Sequence, residues 1–167
     1  DYYGRESFKV VADYYNNGAN NFSMVAFQLD KTLSIFGGVT RGLCTVMDNK
    51  LETVIETSNL QKMSEGVSSD RDIKLSGNEP VSMNVWGFTP ILFEYLQEKF
   101  IEFLNESGSE LKSEYLIPSV VNELIQDGKE NVHVLLSGAT WFGVTYKEDK
   151  PFVESEILKL IRNGEYP

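Results

Sequence analysis

One cysteine, Cys44, and one histidine, His133, are all the chain has of either residue. That scarcity excludes an internal disulfide, a cysteine zinc cluster and any metal site built on two histidines. Long apolar runs are missing too: none approaches the roughly 20 residues needed to span a bilayer, and the start lacks the basic-then-apolar order of a signal peptide. Neither a P-loop nor a G-x-G-x-x-G pattern occurs, so no glycine-rich phosphate loop is encoded. Basic excess is also absent, because 25 acidic residues stand against 15 basic ones, scattered without a long block of one sign. The formal charge of −10 disfavours nucleic acid and anionic membrane surfaces as partners. A reducing, cytoplasmic setting is the expectation, with neither nucleic acid nor membrane involved.

What is present fits one core. A chain of 167 residues, 41% hydrophobic and with ten Phe, eight Tyr and two Trp, predicts a single domain over residues 1–167. Phe8, Val11, Ala12 and Tyr15 recur at helical spacing within 6–15, and Gly18 with its asparagines ends that helix. Phe22–Leu29 reads as a buried strand, and Val39–Met47 as a second. Asp48-Asn49 forms a turn into a returning strand carrying Leu51, Val54 and Ile55. Residues 58–78, rich in Ser, Asp and Gly, read as a surface excursion with a short strand near Ile73 and Leu75. Val81–Phe88 reads as a central strand. Thr89-Pro90 then introduces a long helix whose face holds Ile91, Leu92, Tyr95, Leu96, Phe100, Phe103 and Leu104. A helix over 118–126, strands at 132–136 and 139–146, and a final helix after Asp149 with Val153, Ile157, Leu160 and Ile161 facing inward complete the reading. Strands separated by helices define an α/β layered class.

Few side chains announce chemistry. Asp1, ahead of Tyr2, Tyr3 and Gly4, is a carboxylate of the type that holds magnesium alongside phosphate oxygens, and equally of the type that is simply solvated. Gly37 and Gly38 either make a turn or let backbone approach a ligand. Glu56 sits at a strand end, where a carboxylate accepts from sugar hydroxyls or stands idle. Asn84 and Trp86 lie in an apolar strand, where a buried amide needs partners from ligand or backbone. His133 alternates with valines as a structural strand residue, and Cys44, with no histidine or basic cluster near it in sequence, reads as a small core residue rather than a nucleophile.

Taken in order, four segments resemble one family. Asp1-Tyr2-Tyr3-Gly4, Leu29 through Gly42, Val81-Ser82-Met83-Asn84-Val85-Trp86-Gly87-Phe88-Thr89-Pro90, and Ala139 through Asp149 are similar to elements of the sugar-phosphate nucleotidyltransferases, the nucleotide-sugar pyrophosphorylases. The resemblance runs over nearly all of the chain. It implies a Rossmann-like, GT-A-like mixed sheet flanked by helices, left incomplete because the family's N-terminal glycine-rich segment, with its Arg and Lys, would precede Asp1. It implies Mg2+ as cofactor, a nucleoside triphosphate and a phosphosugar as partners, and transfer of a nucleoside monophosphate with release of pyrophosphate. Carried over by position, Asp1 becomes the magnesium ligand, Gly38 a backbone contact to the sugar, and Glu56 a hydroxyl acceptor, with Asn84 on the strand that lines the pocket. The chain departs from the family pattern at Thr57, where a phosphate-pairing lysine is common, and at Gly143, where a second metal-binding aspartate is common. Without the phosphate-holding segment this stretch is expected to bind rather than catalyse, and to self-associate through exposed sheet edges. The alternatives are a noncatalytic regulatory or assembly domain of the same fold, and transfer to a nonsugar aminoalcohol phosphate.

Overall fold

The computed structural model describes residues 1–167. Four helices, α1 (Arg5–Asn16), α2 (Leu92–Ser107), α3 (Ile117–Gln126) and α4 (Lys150–Arg162), accompany six strands. The strands are β1 (Phe22–Gln28), β2 (Val39–Met47), β3 (Lys50–Lys62), β4 (Val67–Ser68), β5 (Pro80–Gly87) and β6 (Val132–Leu136). The protein is thus a mixed α/β structure, as the alternation of periods predicts.

β1 is the centre. Six of its seven residues are buried, because it pairs antiparallel with β5 on one side and parallel with β6 on the other and is covered on both faces. One face joins Phe22, Met24 and Ala26 to Cys44, Leu51 and Val54 and to Val120, Val121 and Leu124 of α3. The opposite face joins Val25 and Phe27 to Val39, Leu60, Val81 and Trp141, with Val10 and Val11 of α1 packed against them.

The strand order β2-β5-β1-β6-β3-β4 carries an additional pairing of β3 with β2, so five strands form a closed ring. The long β2–β3 hairpin makes this possible. Asp48 and Asn49 adopt φ of 50° and 60°, the left-handed conformation that a two-residue turn matched to strand twist requires. β3 then reaches β6 at a single residue pair, Lys50 with His133, supported by the Val134 N–H donating to the Asn49 carbonyl at 2.8 Å.

Several expectations from sequence need correction. Residues 139–146 form no strand; only an isolated bridge between Tyr2 and Phe142 remains of it. Gly143 interrupts that run, and a turn of 3₁₀ helix at Lys147–Asp149 follows it. α1 turns Ser7, Val10 and Val11 inward and leaves Phe8 60% exposed. Ser7 tolerates burial because its hydroxyl donates to the Tyr3 carbonyl at 2.7 Å. On α2, Phe100 and Leu104 are exposed rather than part of the core face. α4 buries no residue completely. Asn84 is exposed too: β1 and β5 shift register between Met24 and Ala26, and Asn84 takes φ 62° in the resulting bulge. Its amide needs no buried partner, and its Oδ1 accepts from Trp86 Nε1 at 3.3 Å.

Candidate functional site

The bridge between the first residues and residues 140–143 builds the site. Tyr2 N–H donates to the Phe142 carbonyl at 2.8 Å, and Phe142 N–H returns the bond at 3.2 Å. Their rings stack with centroids 4.7 Å apart. This brings Asp1 against Gly143, where a side chain is excluded, since a Cβ there would collide with Asp1 Oδ1 and with the Trp141 ring. The missing side chain at Gly143 thus makes room for the aspartate. Tyr3 Oη donates to Asp1 Oδ2 at 3.3 Å.

Beside this junction lies a cavity of about 420 Å³, walled by the loop Lys31–Phe36, by Arg41 of β2, by residues 140–143, and by Thr145, Asp149, Phe152 and Glu156. Arg41 organises it. Its guanidinium lies 5.0 Å from the centre of the Trp141 ring, a cation–π arrangement, and both Nε and Nη2 donate to the Thr32 carbonyl. Burial pulls the Arg41 pKa below its usual value, opposed by the charges of Glu56 and Asp149; the group stays cationic all the same. Asp149 does not neutralise it by contact, because its oxygens are taken by Ser34 Oγ at 2.9 Å, the Thr145 N–H at 3.0 Å and the Tyr146 N–H at 2.7 Å. Neither Lys31 nor Arg41 belongs to any of the six ion pairs in the molecule. A strongly acidic protein thus keeps two cations without an ion-pair partner on one cavity wall. Trp141 is 7% exposed and its Nε1 has no hydrogen-bond partner, an orphaned donor of the kind that costs about 1–3 kcal/mol.

The residues singled out from sequence distribute around this cavity rather than lining it. Asp1 adjoins it through Gly143. Gly38 does not line it; its carbonyl accepts from the Tyr146 hydroxyl at 2.6 Å. The other side of Gly38 faces β3 so closely that a Cβ would stand 3.0 Å from Asn59 Cα. Glu56 lies opposite Gly42 on the hairpin, half-buried. Burial raises its pKa, and the Arg41 charge works against that rise. Asn84 lies apart from these groups on the bulge of β5. Arg41, Lys31, Trp141 and Asp149 are the functional candidates that sequence reasoning passed over. Arg41 stands directly beside the Gly-Gly segment, but its contact with Trp141 spans 100 residues and leaves no local pattern.

No set of three or more acidic, histidine or cysteine side chains converges on a common point. A cation held at Asp1, beside the cavity, would need further oxygens from a ligand, since Asp149 on the cavity wall already accepts from Ser34, Thr145 and Tyr146. Magnesium accepts that arrangement, being held by one or two carboxylates together with substrate phosphates. In comparison with known proteins, no family model matches the chain and no curated protein is similar to it in sequence.

Proposed function

We propose that this chain carries the acceptor-binding part of a nucleotidyl-transfer site, the part that holds a phosphosugar or a related phosphate ester. In the intact site the acceptor's phosphate oxygen attacks the α-phosphorus of a nucleoside triphosphate, and pyrophosphate leaves. The observation that carries the reading is the pair of cations without ion-pair partners, Arg41 and Lys31, on a cavity whose aromatic wall reaches Asp1. An anionic phosphate in the cavity would satisfy the two cations. Asp1 would hold Mg2+, which when bound neutralises phosphate charge. The chain's own residues do the positioning: Thr32 fixes the guanidinium, Asp149 fixes the 144–149 turn, and Glu56 accepts from hydroxyls. The Rossmann-like, GT-A-like affiliation belongs to this proposal. Its support is that, with the single Lys50–His133 pair set aside, the strand order reads β4-β3-β2-β5-β1-β6, an open mixed sheet.

A noncatalytic binding domain is the second reading, and Gly143 in place of a second carboxylate favours it. Titration of the protein with sugar 1-phosphates, with and without Mg2+, tests the shared premise through tryptophan fluorescence, since Trp141 lies under Arg41. Binding that Arg41→Ala weakens about tenfold or more is expected; an unchanged affinity in that variant rejects the assignment. Pyrophosphate release from a nucleoside triphosphate in the presence of the bound sugar phosphate then separates transferase from binding domain.

A further inference from the structure

The solvent side of α2 is apolar where it should be polar. Phe93, Phe100, Ile101 and Leu104 are 73%, 44%, 57% and 50% exposed, and their spacing of seven, eight and eleven residues from Phe93 puts them in one stripe along the helix. Gln97 fills the gap in the row. A stripe of four large side chains in contact with water is unusual for a surface helix, whose outer face is normally charged.

The flank of that stripe is a rail of like charge. Glu94, Glu98, Glu102 and Glu106 follow one another at four-residue steps and are all exposed. Neighbouring carboxylates at that spacing repel and destabilise the helix that carries them. The one cation on α2, Lys99, sits away from the stripe, where it is held by Glu102 at 2.9 Å and Glu123 at 3.1 Å. Glu94 and Glu98 have no ion-pair partner. From residue 92 to 130 the chain carries nine carboxylates and three lysines, more than half of its net charge of −10.

From this stripe and its glutamate rail we propose that α2 is a docking surface for a basic amphipathic helix of another protein. The partner's apolar side would cover Phe93, Ile101 and Leu104, and its lysines or arginines would meet Glu94 and Glu98, relieving their mutual repulsion. Charge selects this occupant over the others. A second copy would bring the same acidic segment against itself, and an anionic lipid surface would be repelled by it.

The test uses a fluorescein-labelled 18-residue helical peptide of leucines at amphipathic spacing with lysines elsewhere, and a control in which glutamate replaces every lysine. Anisotropy with the intact protein is expected to show binding of the lysine peptide only, weakening as salt is raised. Phe93→Ser/Ile101→Ser/Leu104→Ser is expected to abolish the signal. Glu94→Lys/Glu98→Lys, which leaves the apolar stripe in place, is expected to weaken it about tenfold or more. Circular dichroism melts of both variants confirm that each is folded. Equal binding of the two peptides, or binding of neither, overturns the proposal. So does sedimentation that shows dimers lost in the triple variant, or binding to vesicles containing phosphatidylserine.

Discussion

Asp149 shows how a side chain read from sequence as a helix cap acquires a different task. It stands before α4, as a capping residue would, yet its carboxylate turns back to hold Ser34, Thr145 and Tyr146. Glu56 gives a sharper prediction. Burial raises its pKa from an ordinary value near 4.5, so the folded protein binds the proton more tightly than the unfolded chain. Stability tied to this group is therefore greatest below that value and declines as pH rises through the folded pKa. Glu56→Gln removes the penalty: thermal melts are expected to show the variant gaining on the parent between pH 4 and 7, and a constant difference across that range would refute the argument. Cys44 is 6% exposed, and burial pushes its thiol up to about 12. Because the thiolate is the reactive form, a thiol reagent at pH 8 is expected to leave the native protein untouched and to modify one thiol per chain after unfolding. Sequence reading placed Cys44 in the core correctly, since an isolated cysteine amid apolar residues has no other home. It missed Arg41 because what makes that residue notable, an aromatic ring beneath it and no carboxylate in contact, is supplied by distant segments.

Elements were legible to different degrees, and burial decides which. β1 and β5 are buried over most of their length and β2 and β6 at only some positions, yet each buries enough apolar residues to be readable. The run 139–146 carries Trp141, Phe142 and Val144, apolar enough to imitate a strand, but a bridge of one residue pair is all it forms. The outward stripe of α2 imitated a core face in the same way, since periodicity reports an apolar side and says nothing of what covers it. The β2–β3 turn is the clearest success: Asp48-Asn49 adopts the left-handed pair of conformations that a tight hairpin demands. Asn49→Ala puts a residue without asparagine's local hydrogen bonding at φ 60°. A loss of about 1 kcal/mol in chemical denaturation is expected, and an unchanged midpoint would show that the hairpin is held by its strands alone.

For the molecule as a whole, the acidic surface and the strand ring set opposing tendencies. β6 pairs along its length with β1 but meets β3 at one position, and Leu136 beside it is 78% exposed. Self-association through that poorly covered stretch remains the expectation, and light scattering checks it: a monodisperse monomer across a wide concentration range would count against it. The closing pair has a further consequence for how the chain acquires its shape. Lys50 and His133 are about 80 residues apart, and bringing such remote positions together costs entropy that nearby contacts do not repay until the rest is in place. The hairpin, the β1–β5 sheet and the helices can all assemble with the gap still open. The seam at Asn49 and Val134, one residue pair and one further hydrogen bond, is the shortest join of the ring, and amide hydrogen exchange at Val134 is expected to read its opening ahead of the β1–β5 ladder.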